Sequence, residues 1–169
     1  NLSKNEIKFL KTYKPWGVIL FTRNIKDINQ TSQLTKNIRK IFNDDKYPIL
    51  IDQEGGKVSR LENIITSKNL SSEFFGKKYL KNVSKFKVYY KLFIDKTSNL
   101  LKQMGINLNS VPVLDLKIKG SSNIIGNRSY SNNPSIVSKI GDFCIKNFHE
   151  NSIGTIIKHI PGHGLAKVD

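Results

Sequence analysis

The segment Lys158-His159-Ile160-Pro161-Gly162-His163-Gly164 concentrates more potential chemistry than any other part of the chain. An ammonium, two imidazoles and two glycines follow directly on the β-branched run Ile153-Gly154-Thr155-Ile156-Ile157, and Asp169 lies ten positions beyond His159. An imidazole with a reference pKa of ~6.5 exchanges protons near neutrality, and a neighbouring carboxylate fixes its orientation. The plainer alternative is a Pro-Gly turn whose histidines only bond backbone. A second constellation is Asp52-Gln53-Glu54-Gly55-Gly56-Lys57-Val58-Ser59-Arg60-Leu61, which follows the apolar run Pro48-Ile49-Leu50-Ile51. Carboxylates accept hydrogen bonds from sugar hydroxyls, arginine donates in a fixed fork, and glycines let backbone approach a ligand closely. Taken alone, the Gly pair also suits a surface turn.

These loops need rigid elements behind them. Near-continuous apolar runs predict strands over 17–21, 48–52, 106–114 and 153–158, a pattern that suits a parallel sheet covered on both faces. Helical spacing predicts helices over 3–13, 27–42, 84–104 and 134–150. The first opens on the capping-box pattern Ser3-Lys4-Asn5-Glu6, and the last on Asn133-Pro134. The third has Phe86, Tyr89, Phe93, Leu100, Leu101 and Met104 as its apolar face and Gly105 as its stop. Positions 57–82 read as a long polar loop at the rim of the site. Strands alternating with helices imply right-handed βαβ units and an α/β fold. The pattern leaves open whether the sheet is open or closed into a barrel. In such folds ligands sit at the carboxyl ends of the strands, where Thr22-Arg23-Asn24 and Asp115-Leu116 also fall.

Composition narrows the function classes. The formal charge of +15 comes from 24 Lys and 4 Arg against 13 acidic residues, and Asn is also abundant at 18. The lysines are spread over nearly every predicted helix and loop rather than forming a stripe interleaved with aromatics, so no specific nucleic-acid partner is expected. Where Lys is the default cation, a retained Arg points to a need for the planar fork; Arg23, Arg60 and Arg128 all follow predicted strands, and only Arg39 lies on a helix. The single cysteine, Cys144, excludes an internal disulfide and sits on an apolar helix face with Ile136, Val137, Ile140 and Phe148. That usage fits a reducing compartment, and a cytoplasmic location is expected. No apolar run is long enough to span a bilayer, and no membrane partner is expected. Neither a Gly-x-Gly-x-x-Gly pattern nor a P-loop is present. The spacing of Lys158, His159, His163 and Asp169 superficially suggests a metal site.

Five ordered segments, GVILFTRN, LIDQEGGKVSRL, INLNSVPVLDL, IGNRSY and IIKHIPGHG, give the chain a resemblance to glycoside hydrolase family 3, in its β-N-acetylhexosaminidase branch associated with peptidoglycan recycling. The resemblance implies a partial (β/α)8 TIM barrel, approximately strands two to five with their helices. It implies that Asp52 grips hydroxyls of a terminal N-acetylglucosamine, that Arg60 and Arg128 match the family's arginines, and that Lys158 and His159 match its basic pair. It implies that Asp169 orients a histidine acid/base two residues further on, and that an Asp nucleophile lies on a later strand. Glu54 is read as bracing the Gly55-Gly56 turn, and His163 as fixing the loop; Asp115 either orients loops or contacts ligand. The enzymes that the chain resembles need no metal, so neither metal nor cofactor is expected; a saccharide substrate and a monomer are. The rivals are another family 3 β-glycosidase, such as a β-glucosidase, and a non-catalytic carbohydrate-binding protein.

A complete barrel of this kind needs ~250 residues, so residues 1–169 are read as an incomplete catalytic domain, a fragment truncated at both ends. Expressed alone, they are expected to show no hydrolysis of a chromogenic N-acetylglucosaminide and to be poorly soluble, because open strand edges and apolar faces would be exposed. An assay and size-exclusion profile of the isolated 169-residue chain check this; a stable, active monomer would contradict it.

Overall fold

The computed structural model describes residues 2–120 and 123–166. Helix α1 (Lys4–Tyr13) is followed by strand β1 (Val18–Leu20), helix α2 (Ile28–Phe42) and strand β2 (Ile49–Ile51). Helices α3 (Ser72–Lys81) and α4 (Val83–Gln103) then lead to strand β3 (Leu108–Asn109), helix α5 (Pro134–Glu150) and strand β4 (Gly154–Thr155). All strand pairs are parallel, and the sheet order is β1-β2-β3-β4. That order decides what the sequence pattern left open. A doubly wound sheet reverses its order at a switch point, whereas strands added side by side in chain order form the arc of a (β/α)8 barrel.

Local chemistry accounts for the helix ends. The predicted capping box forms: the Glu6 N–H donates to Ser3 Oγ at 3.2 Å, and the Ser3 N–H donates to Glu6 Oε2 at 2.7 Å. At the start of α5 the Ser135 N–H donates to Asn133 Oδ1 at 2.9 Å, with Pro134 in the first turn, where its missing N–H costs nothing. Helix α4 stops before Gly105, whose φ of +71° suits glycine. Its buried face includes Tyr90 and Ile94, whereas Tyr89 is half exposed and lies under the Lys78 ammonium. The predicted face was therefore one residue out of register at Tyr89.

Two further expectations change. The stretch 57–82 is not loop throughout, because α3 occupies its end, capped by Ser71 Oγ accepting from the Phe74 N–H at 3.2 Å. The strands are also shorter than the apolar runs. Beyond Asn109 the ladder lapses around Pro112, which has no N–H to give, and resumes as a bridge between Val113 and Lys158. There the Leu114 N–H donates to the Lys158 carbonyl at 2.6 Å, and the Lys158 N–H to the Pro112 carbonyl at 3.1 Å. This resumed pairing brings Asp115 beside His159.

Ile49 and Ile51 of the central strand β2 are fully buried, with Leu61, Ile94, Leu101 and Met104 in the same core. Cys144 is buried as expected, and burial pushes its thiol up to about 12, which makes it a packing group rather than a nucleophile. An aromatic cluster of Phe75, Phe86, Tyr90 and Phe143 joins α3, α4 and α5. The Tyr90 and Tyr130 hydroxyls share a hydrogen bond of 2.6 Å, which ties the segment after Arg128 to α4.

Helix α3 presses on that same segment. A Cβ at Gly76 would lie 1.8 Å from the Tyr130 carbonyl oxygen, a backbone atom that cannot give way. Gly76→Ala is therefore expected to lower the stability by about 1–3 kcal/mol, the usual cost of overpacking. Urea denaturation against the exposed Lys81→Ala variant measures it, and equal midpoints for the two variants would refute the contact.

Candidate saccharide-binding site

The exit of β2 carries Asp52, Gln53 and Glu54, and the next strand holds it in place. The Gln53 N–H donates to Asn109 Oδ1, and Asn109 Nδ2 donates to the Gln53 carbonyl, both at 3.0 Å. Gly55 and Gly56 adopt φ of +86° and +64°, and a Cβ at Gly55 would meet the Leu70 carbonyl oxygen at 2.3 Å. Only glycine fits that turn. Gln53 Oε1 then accepts from the Arg60 N–H at 2.8 Å and the Leu61 N–H at 3.2 Å, so the loop folds back and returns Arg60 to Asp52.

Three other segments bring cations and an imidazole to this exit. Lys158 Nζ lies 2.8 Å from Asp52 Oδ1 and 2.6 Å from Glu54 Oε1. Arg128, at the end of the 3₁₀ turn Gly126–Arg128, grips Glu54 with both arms of its fork: Nε donates to Oε2 at 2.9 Å and Nη2 to Oε1 at 3.0 Å. The Arg60 guanidinium is 3.8 Å from Asp52 and lies over the Phe21 ring, as does that of Arg23. The structure thus brings Asp52, Arg60, Arg128, Lys158 and His159 into one cluster at the carboxyl ends of the strands. Asp169 lies outside the described residues.

Asp115 organises the last loop. Its Oδ1 accepts from the His163 N–H at 2.6 Å and the Gly164 N–H at 3.2 Å, while Oδ2 accepts from the His159 N–H at 3.2 Å and meets His159 Nδ1 at 2.5 Å. A carboxylate only accepts, so Nδ1 carries the proton. Arginine only donates, so Nε2, at 3.4 Å from Arg128 Nη2, offers its lone pair. Between Asp115 and Arg128 a neutral imidazole would have a single tautomer. With a side chain only 1 % exposed and both oxygens turned to the 159–164 loop, Asp115 is a loop organiser rather than a ligand contact.

Exposure sorts the cluster into two layers. The side chains of Asp52, Arg60, Lys158 and His159 are 19, 26, 13 and 29 % exposed, so a ligand can reach them. Glu54, at 2 %, is closed off beneath them, with Arg128 at 11 % between the layers. Glu54 is the residue that sequence reasoning misplaced. Its backbone does enter the turn, through N–H donation to the Val58 carbonyl at 3.0 Å, but its carboxylate turns away to Arg128 and Lys158. Nothing in the local sequence signals partners so distant. Among the described residues, which do not include Asp169, no group of three His, Cys, Asp or Glu is arranged to hold an ion. A separate groove of about 680 Å³ beside α5 is mostly apolar and takes only Asp115 and His159 from the polar set.

For Asp52, Asp115 and Arg128, hydrogen bonds and opposite charges together outweigh burial. Burial alone would raise the Asp52 carboxyl, but the Lys158 hydrogen bond and charge, aided by Ser110 and Arg60, hold it below the usual range. Burial likewise opposes ionisation of Asp115, and the donors from His159 and His163 outweigh it, so this pKa is also lowered. Burial would lower the Arg128 pKa, whereas Glu54 keeps it raised. A depressed carboxyl stabilises the fold fully above its unfolded value of ~3.9, and the contribution is lost as pH falls through the lower folded value. Asp115→Asn is accordingly expected to cost about 2 kcal/mol at neutral pH, with the gap to wild type closing below about pH 4. Urea unfolding across that range tests it, and a gap independent of pH would refute the assignment.

Comparison with known proteins agrees with the geometry. Residues 1–169 match the model of the glycosyl hydrolase family 3 N-terminal domain. The chain is 31% identical over 166 residues to β-hexosaminidase A of Pseudoalteromonas piscicida, covering 96% of this chain and 27% of that one. It is 28% identical to the β-hexosaminidase of Thioalkalivibrio sulfidiphilus over 99% of its own length and 48% of that protein's. It superposes on NagZ from Neisseria gonorrhoeae, solved in complex with N-trifluoroacetyl-D-glucosamine, with a TM-score of 0.88 and 30% identity over 100% of this chain and 49% of that one. The chain spans at most about half the length of these relatives. With its strand order, its cluster at the strand ends and a family match running from end to end, the chain belongs to glycoside hydrolase family 3.

Proposed function

We propose that this chain supplies the sugar-gripping part of a retaining β-N-acetylhexosaminidase that releases terminal N-acetylglucosamine from peptidoglycan-derived muropeptides. The observation that carries this reading is the cluster itself. Asp52, Arg60, Lys158 and His159 present acceptors and donors side by side on an accessible surface, with Arg128 and Glu54 behind them. A sugar ring offers hydroxyls that both donate and accept, and such an array suits it. The β-hexosaminidase relatives and the NagZ complex with an N-acetylglucosamine derivative support the same substrate class.

Retaining glycosidases use a nucleophile and an acid/base on opposite sides of the anomeric carbon. In this reading Asp169 orients a histidine acid/base two residues further along, a later Asp is the nucleophile, and no metal or cofactor takes part. The enzyme acts as a cytoplasmic monomer in cell-wall recycling. The lone buried thiol of Cys144 suits a reducing compartment.

Two substitutions in the intact enzyme test the reading. Asp169→Asn is expected to preserve sugar binding and to slow turnover toward the ~10²–10⁴-fold range of general acid/base groups, with a smaller loss on a substrate whose leaving group is already acidic. Asp52→Ala is expected to weaken binding and rate together for every leaving group, because contacts to the ring hydroxyls do not depend on the aglycone. Steady-state kinetics on a good and a poor leaving group separate the two. Equal losses for Asp169→Asn on both substrates would remove it from the acid/base role, and wild-type kinetics in Asp52→Ala would remove the sugar site. A greater rate on β-glucosides than on N-acetylglucosaminides would move the chain to another activity of the family.

A further inference from the structure

Glu54 is almost fully enclosed and ionically paired to two cations from different segments of the chain. Its Oε1 receives both Lys158 Nζ at 2.6 Å and Arg128 Nη2 at 3.0 Å, and its Oε2 receives Arg128 Nε at 2.9 Å. With a side chain 2 % exposed it is closed off from ligand, while the cations that it holds border the accessible surface. Arg128 in turn meets His159, and Lys158 meets Asp52. Every accessible group but Arg60 is therefore in contact with something that Glu54 fixes.

Its charge has a separate effect. The fixed charges of the cluster are the carboxylates Asp52, Glu54 and Asp115 against the cations Arg60, Arg128 and Lys158, with the His159 ring between Asp115 and Arg128. The site is locally balanced within a chain whose formal charge is +15. Such a chain draws anions toward it from a distance. Local balance removes the incentive for an anion to settle among these groups, since Arg60, Arg128 and Lys158 each have a carboxylate within 3.8 Å, and Arg23, which has no ion-pair partner among the described residues, lies outside them on the Phe21 ring. Without Glu54, Arg128 and Lys158 would be left one charge in excess at low exposure, where an unpaired charge is strongly unfavourable and a ligand carboxylate would relieve it.

We propose that Glu54 is the positioning and specificity-determining residue of this site: it anchors Arg128 and Lys158 and cancels their charge, so that the pocket takes a neutral sugar in preference to one bearing an anionic group. The proposal rests on the saccharide reading above and adds to it a reason for selectivity. Discrimination here works by leaving no cation free for the wrong ligand, rather than by a contact to the right one.

The test is calorimetric titration of the intact protein with N-acetylglucosamine and with glucuronic acid. Glu54→Gln keeps the size and loses the charge. Its affinity for N-acetylglucosamine is expected to fall, and the preference for the neutral over the anionic sugar to shrink by about tenfold or more. Glu54→Asp keeps the charge on a shorter arm, so both affinities are expected to fall together with the preference unchanged. A role confined to stabilising the fold would shift the melting temperature of either variant without moving the ratio of affinities. An unchanged ratio in Glu54→Gln, or wild-type affinity in Glu54→Asp, overturns the proposal. If circular dichroism shows Glu54→Gln unfolded, Glu54→Asp decides alone by whether its affinity falls. Asp52→Ala is the control for the reading underneath. If wild type does not bind N-acetylglucosamine, or Asp52→Ala binds it equally well, the saccharide site falls. If Asp52→Ala loses binding while both Glu54 variants match wild type, only the role of Glu54 falls.

Discussion

The ammonium of Lys158 between the carboxylates of Asp52 and Glu54 is the contact on which the rest of the site depends. One point charge closes two ion pairs, the one to Asp52 across 106 residues of sequence, and links the exit of β4 to that of β2. A buried ion pair of this kind adds little net stability, because desolvation consumes most of the Coulombic gain. Its effect is geometric. A lysine so placed is satisfied only when β2, β3 and β4 lie in one register, since Lys158 bridges to Val113 and β3 bonds the exit of β2 through Asn109.

The division of labour between cations follows their shapes. Lysine, a compact charge, sits between two oxygens from different residues. Arg128 instead spends two donors on one carboxylate, in the planar match that an ammonium cannot reproduce. Arg23 and Arg60 use their flat faces on Phe21. In a chain with 24 lysines the few arginines therefore mark places where planarity matters. The same logic sets His159, whose ring is oriented by an acceptor on one side and a donor on the other.

Much of this was legible in the sequence because its determinants are local. The capping box at Ser3, the proline start of α5 and the Gly105 stop are short-range patterns, and the structure places each where the pattern sets it. Asp52, Arg60, Lys158 and His159 lie in loops that follow apolar runs, and Arg128 lies in the longer segment after the third run, so their convergence at one end of the sheet follows once the strands are parallel. The failures lie where the determinant is distant. Glu54 looked like part of a turn because its partner Arg128 is 74 residues away, and a salt bridge carries no periodicity. Helix α3 was hidden in a Ser- and Lys-containing stretch whose order comes from packing on Tyr130 and the aromatic cluster. Strand lengths depend on the partner's backbone, and Pro112 interrupts a ladder that the apolar run alone would have continued.

The strand order also bears on how the site comes into being. Each strand pairs with the one made just before it, so a chain emerging from the ribosome can dock its units in turn, with modest loop-closure cost at each step. Asp52 and Glu54 are synthesised early and meet Arg128 when the segment after β3 folds down. Lys158 arrives only with β4. Until then two carboxylates at the end of the central strand share only arginines, and the neutral balance of the site does not exist. Docking of β4 is therefore the event that brings Lys158 to Asp52 and Glu54, so this cluster assembles only after β2 and β3 have paired and is not a preformed nucleus.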